Sequence, residues 1–204
     1  MKIFITGTDT NVGKTIVSSW LCLHSCYSYF KPIQTGTIDI KDTDTVRQLT
    51  KDTNIYRTVY DFKEPLSPHL AAKYENRVID INKINLPPDN TIIEGAGGLM
   101  VPINNDHYMI DLISFFDIPV ILVCKTTLGT INHTLLSINA LKGKNIRLLG
   151  VIMSGDINKN NRESIAFYGK VKILAELPLL NTINYNTLKT IKLTKELQSS
   201  YEFS

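Results

Sequence analysis

The sequence predicts an α/β fold in which a mostly parallel β-sheet carries helices on both faces. Short apolar runs alternate with helix-like segments along the chain of 204 residues. These runs are almost continuously apolar, which is typical of parallel strands buried on both faces. The length fits a single domain over residues 1–204. The tail at 181–204 is rich in Asn, Thr, Lys and Ser and is only weakly assigned to that domain.

The strands and helices can be placed approximately along the chain. Apolar, β-rich runs predict strands at 3–6, 29–30, 91–93, 120–123, 148–153 and 171–174. The segments between them predict helices at 15–25, 44–50, 68–75, 109–116, 132–142 and 162–168. Active sites of such sheets lie at the carboxyl ends of the strands. The polar residues after each strand are therefore the candidates for function.

A glycine-rich loop at residues 7–15 (GTDTNVGKT) joins the first predicted strand to the first predicted helix. In this context the loop N–H groups and the helix N-terminus point at an anion, which predicts a P-loop NTPase-type domain. Lys14 can reach the β- and γ-phosphates of a nucleotide, and the Thr15 hydroxyl can bind Mg²⁺. Five residues separate Gly7 from Gly13, one more than in the usual motif.

Further polar groups follow three other predicted strands, at 31–36, 94–98 and 125–133. Glu94, at the end of an apolar run, suits a carboxylate that binds a metal, although it could also be an ordinary turn residue. Asp44 could supply a second carboxylate or only cap a helix. Lys31 would add a second cation beside a transferring phosphoryl group.

Composition argues against several other classes of protein. A formal net charge of +3 without a cluster of Lys or Arg does not favour nucleic-acid binding. No apolar run approaches the length of a membrane span, and the N-terminus enters a strand at once, unlike a signal peptide. We therefore expect a cytoplasmic protein with no membrane partner. The three cysteines contain no CxxC pair, so they do not suggest a metal site.

Five motifs occur in an order that resembles dethiobiotin synthetase. They are GTDTNVGKT at 7–15, KPIQTG at 31–36, SPH at 67–69, EGAGG at 94–98 and LGTINH at 128–133. The resemblance extends over about residues 1–180. The first motif, with its extra residue, and the last are the most specific, because other P-loop amidoligases share only the first and fourth in looser form.

The resemblance implies a reaction, its partners and an assembly. Members of the family join 7,8-diaminononanoate and CO₂ as a carbamate, which ATP phosphorylates in the presence of Mg²⁺. The second amine then closes the ring and releases phosphate, so no enzyme nucleophile is needed. Catalysis comes from positioning of the reactants and from neutralisation of charge. The family consists of homodimers whose active sites lie at the subunit interface.

The resemblance also implies residue roles. Lys14 and Lys31 would be catalytic, and Thr15, Asp44 and Glu94 would hold Mg²⁺. The nucleotide would contact Asn11, Val12, Gly13, Lys14, Thr15, Ile16, Asp44, Glu94, Gly95, Ala96, Gly97, Ser154, Gly155, Pro178, Leu179 and Leu180. The substrate would contact Thr10, Lys31 and Thr35, together with the other subunit's helix N-terminus formed by Gly129, Thr130, Ile131 and Asn132.

One position departs from the family pattern. The family usually has an Asn that reads adenine after the strand at 148–153, whereas this chain has Ser154 and Gly155. The Pro-x-Leu segment that flanks the base and ribose is matched by residues 178–180.

The alternative from another class is a dimeric P-loop nucleotide switch of the partitioning or metal-chaperone kind. Such a protein would want a partner-binding surface, a second lysine within the loop, or a terminal amphipathic helix for membranes. The sequence gives no sign of these features.

Overall fold

The computed structural model describes residues 1–38 and 40–201. The strands are β1 (Lys2–Gly7), β2 (Ser28–Phe30), β3 (Ile33–Gln34), β4 (Ile55–Tyr56), β5 (Tyr60–Asp61), β6 (Thr91–Gly98), β7 (Val120–Lys125), β8 (Leu148–Ser154) and β9 (Ile173–Leu177). The helices are α1 (Lys14–Leu23), α2 (Asp42–Thr50), α3 (Pro68–Tyr74), α4 (Met109–Phe116), α5 (Thr130–Gly143), α6 (Lys159–Gly169), α7 (Tyr185–Thr190) and α8 (Lys195–Tyr201). A short 3₁₀ helix spans Ile81–Lys83.

The main sheet has seven strands in the order β4-β2-β6-β1-β7-β8-β9, and its pairs are parallel. The strands β3 and β5 form a separate parallel pair. The predicted fold class, a mostly parallel sheet of the P-loop type with helices on both faces, is confirmed. The four strands β2, β6, β1 and β7 are neighbours in this order, so the loops that follow them lie along one edge.

Both faces of the sheet are buried, as the apolar runs predict. On β6, Ile92 packs in a core with Trp20 and Val17 of α1, whereas Ile93 packs on the other face with Ile113 of α4. A third cluster joins α5 and α6 to β7 and β8. The alternation of neighbouring residues between two cores requires apolar side chains at successive positions, because neither face of the strand meets water.

Some boundaries differ from the predicted ones. The strand β6 continues through Glu94 to Gly98 instead of ending at 93, and β9 begins at Ile173 instead of 171. The short strands β3, β4 and β5 were not predicted. Two-residue strands carry too few side chains to produce a recognisable period in the sequence.

The tail that the sequence left weakly assigned packs against α1 and β9. Leu188 of α7 and Leu197 of α8 are fully buried in the same core as Trp20. The Trp20 indole N–H donates to the Ile191 carbonyl oxygen at 2.7 Å, and the Thr194 hydroxyl donates to the Leu174 carbonyl oxygen. The tail therefore covers one face of the first helix and belongs to the core.

Candidate active site

A cleft of about 800 Å³ opens at the carboxyl ends of β1, β2 and β6. Its walls come from the glycine-rich loop, the segment after β2, the start of α2, the turn before α3 and the end of β6. The lining residues with polar side chains include Asp9, Thr10, Asn11, Lys14, Thr15, Lys31, Gln34, Thr35, Asp42, Ser67 and Glu94. The order of the strands explains the convergence, since these three strands are adjacent in the sheet.

The loop at 7–15 has the backbone conformation of an anion cradle. Gly13 has φ of 96° and Asn11 has φ of 52°, both in the left-handed region that favours Gly and Asn. A Cβ on Gly7 would lie 2.7 Å from the Val12 Cγ2 atom, so only glycine fits where the loop leaves the strand. The loop leads directly into α1, whose first N–H groups have no partner within the helix.

Lys14 lies across the mouth of this loop. Its Nζ donates to the Asp9 carbonyl oxygen at 2.9 Å, and the side chain is buried. Burial and the nearby charge of Lys31 lower the pKa of Lys14 to about 8. Among the described residues no carboxylate forms an ion pair with Lys14, so a phosphate group would be its anionic partner.

Three oxygen atoms meet at the start of α1. The Thr15 hydroxyl oxygen lies 2.8 Å from Asp42 Oδ1 and 2.9 Å from Glu94 Oε1. One hydroxyl proton can satisfy only one carboxylate oxygen at a time. Two carboxylates and a hydroxyl form the donor set that a hard cation such as Mg²⁺ prefers, so these residues fit a magnesium ion.

Lys31 binds the same two carboxylates. Its Nζ lies 2.6 Å from Asp42 Oδ2 and 2.9 Å from Glu94 Oε1, with Lys31 3% exposed and Glu94 1% exposed. Burial alone would lower the pKa of Lys31, but the two carboxylates outweigh burial and raise it. The same pairing lowers the pKa of Asp42 although burial opposes it. Lys31 is therefore a fixed, charged group.

In the structure Asp42, and not the predicted Asp44, is the second carboxylate beside Thr15. Asp44 instead pairs with Arg47 at 2.8 Å, and its side chain is 46% exposed. Asp42 occupies the place predicted for Asp44. In a helix, residues two apart point in nearly opposite directions, so one of the two can face the cleft. Asp42 precedes the buried Val46 by four residues, and this spacing places it on the inward face.

We expect Asp42→Asn to raise the Mg²⁺ concentration for half-maximal activity at least about 10-fold, since even partners of metal ligands have effects of this size. Asp44→Asn is the matched control on the same helix turn, and it should leave the Mg²⁺ dependence unchanged. The measurement is a Mg²⁺ titration of nucleotide turnover with both variants. Equal shifts for the two variants would mean that Asp42 has no specific role in binding Mg²⁺ and that any loss of charge at this end of the helix has the same effect.

The other predicted residues fall into groups. Thr10, Asn11, Gly13, Ile16, Thr35, Ala96 and Gly97 line the cleft with the lysines, Thr15 and Glu94. Val12 is instead buried in the core. Gly95 packs beneath the cleft, where a Cβ would lie 2.8 Å from the Phe4 ring, and its carbonyl oxygen accepts from Lys31 Nζ at 3.4 Å.

The residues predicted to contact the base and ribose lie at the carboxyl ends of β8 and β9, next to the phosphate loop. A Cβ on Gly13 would lie 2.6 Å from the Ser154 hydroxyl oxygen, so Ser154 lies directly against the loop. Gly155 has φ of 136° and donates its N–H to the Leu177 carbonyl oxygen at 2.9 Å. Residues 178–180 follow β9 directly, with Leu179 exposed.

The segment 129–132, which is predicted to bind the carboxylate of the substrate, lies at the N-terminus of α5. It does not line the cleft of its own chain. Gly129 has φ of 93°, and nothing lies within 4 Å of a Cβ built there. Leu128 is fully exposed, Asn132 is exposed, and the Thr130 hydroxyl donates to the Lys125 carbonyl oxygen. The turn is therefore an open surface on the same edge of the sheet.

Within residues 1–38 and 40–201, no group of three or more His, Cys, Asp or Glu side chains is arranged to hold a metal ion. None of the helices in the described part of the chain is long and apolar enough to cross a membrane.

Comparison with known proteins identifies the family. The family model described as an AAA domain matches residues 1–187. The ATP-dependent dethiobiotin synthetase of Lawsonia intracellularis is 55% identical, over 98% of this chain and 99% of its own length. The chain belongs to the ATP-dependent dethiobiotin synthetase family. The enzymes of the same name from Neorickettsia sennetsu and Paramagnetospirillum magneticum are 38% and 42% identical, over 99% and 91% of this chain and 96% and 92% of their own lengths.

Solved structures support the fold at lower similarity. A ParA family ATPase from Chlorobium tepidum has a TM-score of 0.53 and 11% identity, covering 87% of this chain and 84% of its own. A nucleotide-binding protein from Archaeoglobus fulgidus, in complex with ADP, has a TM-score of 0.50 and 12% identity, covering 93% and 84%. These likenesses concern the fold alone. The predicted family membership and enzyme class are confirmed by the sequence relatives.

Proposed function

We propose that the chain makes dethiobiotin from 7,8-diaminononanoate, CO₂ and ATP in the cytoplasm. One amine adds to CO₂ and loses a proton, giving a carbamate. A carbamate oxygen attacks the γ-phosphorus of ATP, and ADP leaves. The second amine attacks the carbonyl carbon of the mixed anhydride, the ring closes, and phosphate leaves. The observation that carries this proposal is the 55% identity to a dethiobiotin synthetase over nearly the whole chain.

The two lysines would act on opposite sides of the transferring phosphoryl group. Lys14 would bind the phosphates from the loop, and Lys31, fixed by Asp42 and Glu94, would bind the carbamate oxygen. Their positive charges matter most when negative charge spreads over the phosphoryl oxygens in the transition state. Thr35, which lines the same cleft as Lys31, would orient the carbamate or the second amine.

Thr15, Asp42 and Glu94 would hold Mg²⁺ at the phosphates. When bound, the ion would neutralise charge on the nucleotide. Residues 11–16 and 95–97 would surround the phosphates, while Ser154, Gly155 and residues 178–180 would contact the base and ribose.

The proposal is tested by incubating the purified chain with ATP, Mg²⁺, diaminononanoate and labelled bicarbonate. We expect label to enter the ring product and phosphate to be released in a ratio of one to one. Omitting the diamine should abolish incorporation of label. ATP hydrolysis that is independent of the diamine, without labelled product, would instead favour the nucleotide switch.

We further propose that two copies form a shared site, with the turn at 129–132 receiving the distal carboxylate of the substrate bound to the partner. The exposed Leu128 and Leu136 on that side supply apolar surface for a symmetric contact. We expect a dimer by light scattering at the concentration of the assay. A monomer that turns over normally would contradict the shared site.

Nucleobase selectivity offers a separate prediction. Asn can pair with adenine through a donor and an acceptor, a contact that discriminates by about 1–3 kcal/mol, whereas Ser154 carries one hydroxyl. We expect weak rejection of GTP and CTP by the chain, and a sharper preference for ATP in Ser154→Asn. The measurement is kcat/KM for the three nucleotides with both proteins. A preference for ATP above about 100-fold in the unsubstituted chain, near 2.7 kcal/mol, would contradict the prediction.

A further inference from the structure

The Glu94 carboxylate is held from one neighbouring strand by two side chains. Tyr29 of β2 is paired with Ile92 of β6, so their side chains lie on the same face of the sheet. Glu94 lies two residues beyond Ile92 on that face, about 6.6 Å further along the strand. Lys31 lies two residues beyond Tyr29. The register therefore brings the end of the tyrosine and the lysine to the same carboxylate.

The two donors take different oxygen atoms of Glu94. The Tyr29 hydroxyl donates to Oε2 at 3.0 Å, whereas Lys31 Nζ donates to Oε1 at 2.9 Å. The Thr15 hydroxyl also contacts Oε1. Glu94 is almost completely buried and Tyr29 is fully buried, so water does not compete for Oε2. The tyrosine thus fixes which oxygen faces the phosphate loop.

We propose that Tyr29 is a positioning residue that holds Glu94 with Oε1 directed at the cation site. A glutamate carboxylate rotates in a broad, nearly two-fold well, so it needs an external partner to fix its plane. With the Tyr29 hydroxyl on Oε2, the carboxylate plane is fixed and Oε1 stays beside the Thr15 hydroxyl, where it would help to hold the cation. This inference rests on the proposed role of Glu94 as a metal ligand. None of the roles that the family resemblance implies uses Tyr29.

The alternative is that Tyr29 serves packing only and its hydroxyl bonds the nearest acceptor. Tyr29→Phe distinguishes the two, since it keeps the ring and removes one oxygen. Tyr60→Phe is the matched control. The Tyr60 side chain is also buried, and its hydroxyl bonds the backbone of Asp80, at 3.1 and 3.3 Å, away from the cleft.

Mn²⁺ is the probe, measured by electron paramagnetic resonance with the full chain and a non-hydrolysable ATP analogue. We expect Tyr29→Phe to weaken Mn²⁺ binding roughly 10-fold, as is usual for partners of metal ligands. Affinity for the analogue in the presence of EDTA should not change, and Tyr60→Phe should leave Mn²⁺ binding unaltered. Unchanged Mn²⁺ affinity in folded Tyr29→Phe would overturn the inference.

A double variant supplies an independent measurement. A hydroxyl donates a stronger hydrogen bond to a carboxylate than to a neutral amide, so we expect Tyr29→Phe to lower the melting temperature less in the Glu94→Gln background than in the natural one. Equal losses in both backgrounds would contradict the inference. If the unsubstituted chain with the analogue bound no Mn²⁺, the proposed metal site itself would fail. If the unsubstituted chain bound Mn²⁺ and Tyr29→Phe bound it equally well, the role of Tyr29 would fail while the proposed metal site would stand.

Discussion

Lys14→Ala is expected to lower kcat about 1000-fold or more, comparable with the loss of a charge-stabilising donor in other phosphoryl-transfer and acyl-transfer sites. The fold should survive. Within the described part of the chain, the Lys14 side chain bonds only a backbone carbonyl oxygen, and burial lowers its pKa to about 8, so its charge is disfavoured in the folded state. Removing that charge should leave the melting temperature unchanged or slightly raised.

The measurement combines single-turnover kinetics with thermal unfolding. Lys73→Ala, which changes an exposed lysine on α3, is the matched control and should alter neither quantity. A folded Lys14→Ala protein with undiminished turnover would remove Lys14 from the phosphate site. A melting temperature lowered by many degrees would mean that the loop needs the lysine to keep its shape.

The central strands could be predicted from sequence because each is apolar on both faces. β1, β7 and β8 agree with the predicted runs to within two residues at each end. The end of β6 could not be predicted, because Glu94 and three glycines continue a strand that composition alone would end. The neighbouring strand β1 supplies the hydrogen bonds that keep this segment extended. Sheet pairing overrides local propensity there.

The candidate site was predictable wherever a motif fixed both the residue and its place at a strand end. Lys14, Thr15, Lys31 and Glu94 lie together as expected. Asp44 is predicted from the sequence, whereas the structure places Asp42 beside Thr15; the spacing of four to Val46 and seven to Leu49 indicates that Asp42 lies on the inward face. A helix start with two aspartates is ambiguous until the inward face is determined.

The contact of Tyr29 with Glu94 and the position of the tail could not be predicted from the sequence, because both depend on which segments lie side by side in three dimensions. A tyrosine in a short apolar run reads as a core residue, and its contact with Glu94 depends on which strand lies beside β2. The tail has buried leucines at 188, 193 and 197, which lie on α7, between the two helices and on α8, so they do not form the pattern of a single helix. Its place against α1 depends on the Trp20 indole, a partner about 170 residues earlier in the chain.

Lys31→Gln is expected to lower kcat more than it raises the KM for nucleotide, because its charge acts mainly as charge develops in the transition state. It should also destabilise the fold by about 3 kcal/mol, since it leaves Glu94 as a buried charge without its main partner. kcat and KM should be measured well below the melting temperature of the Lys31→Gln protein. A change in KM alone would make Lys31 a group that binds ground state and transition state equally.

The double variant Lys31→Gln/Glu94→Gln separates the two roles of Lys31. Replacing both members of a buried ion pair removes the uncompensated charge, so most of the lost stability should return. Turnover should not return, since neither the cation nor the metal-binding carboxylate is restored. Thermal unfolding and single-turnover kinetics on the single and double variants give both results. Recovery of turnover together with stability would show that Lys31 acts through the fold and not on the carbamate.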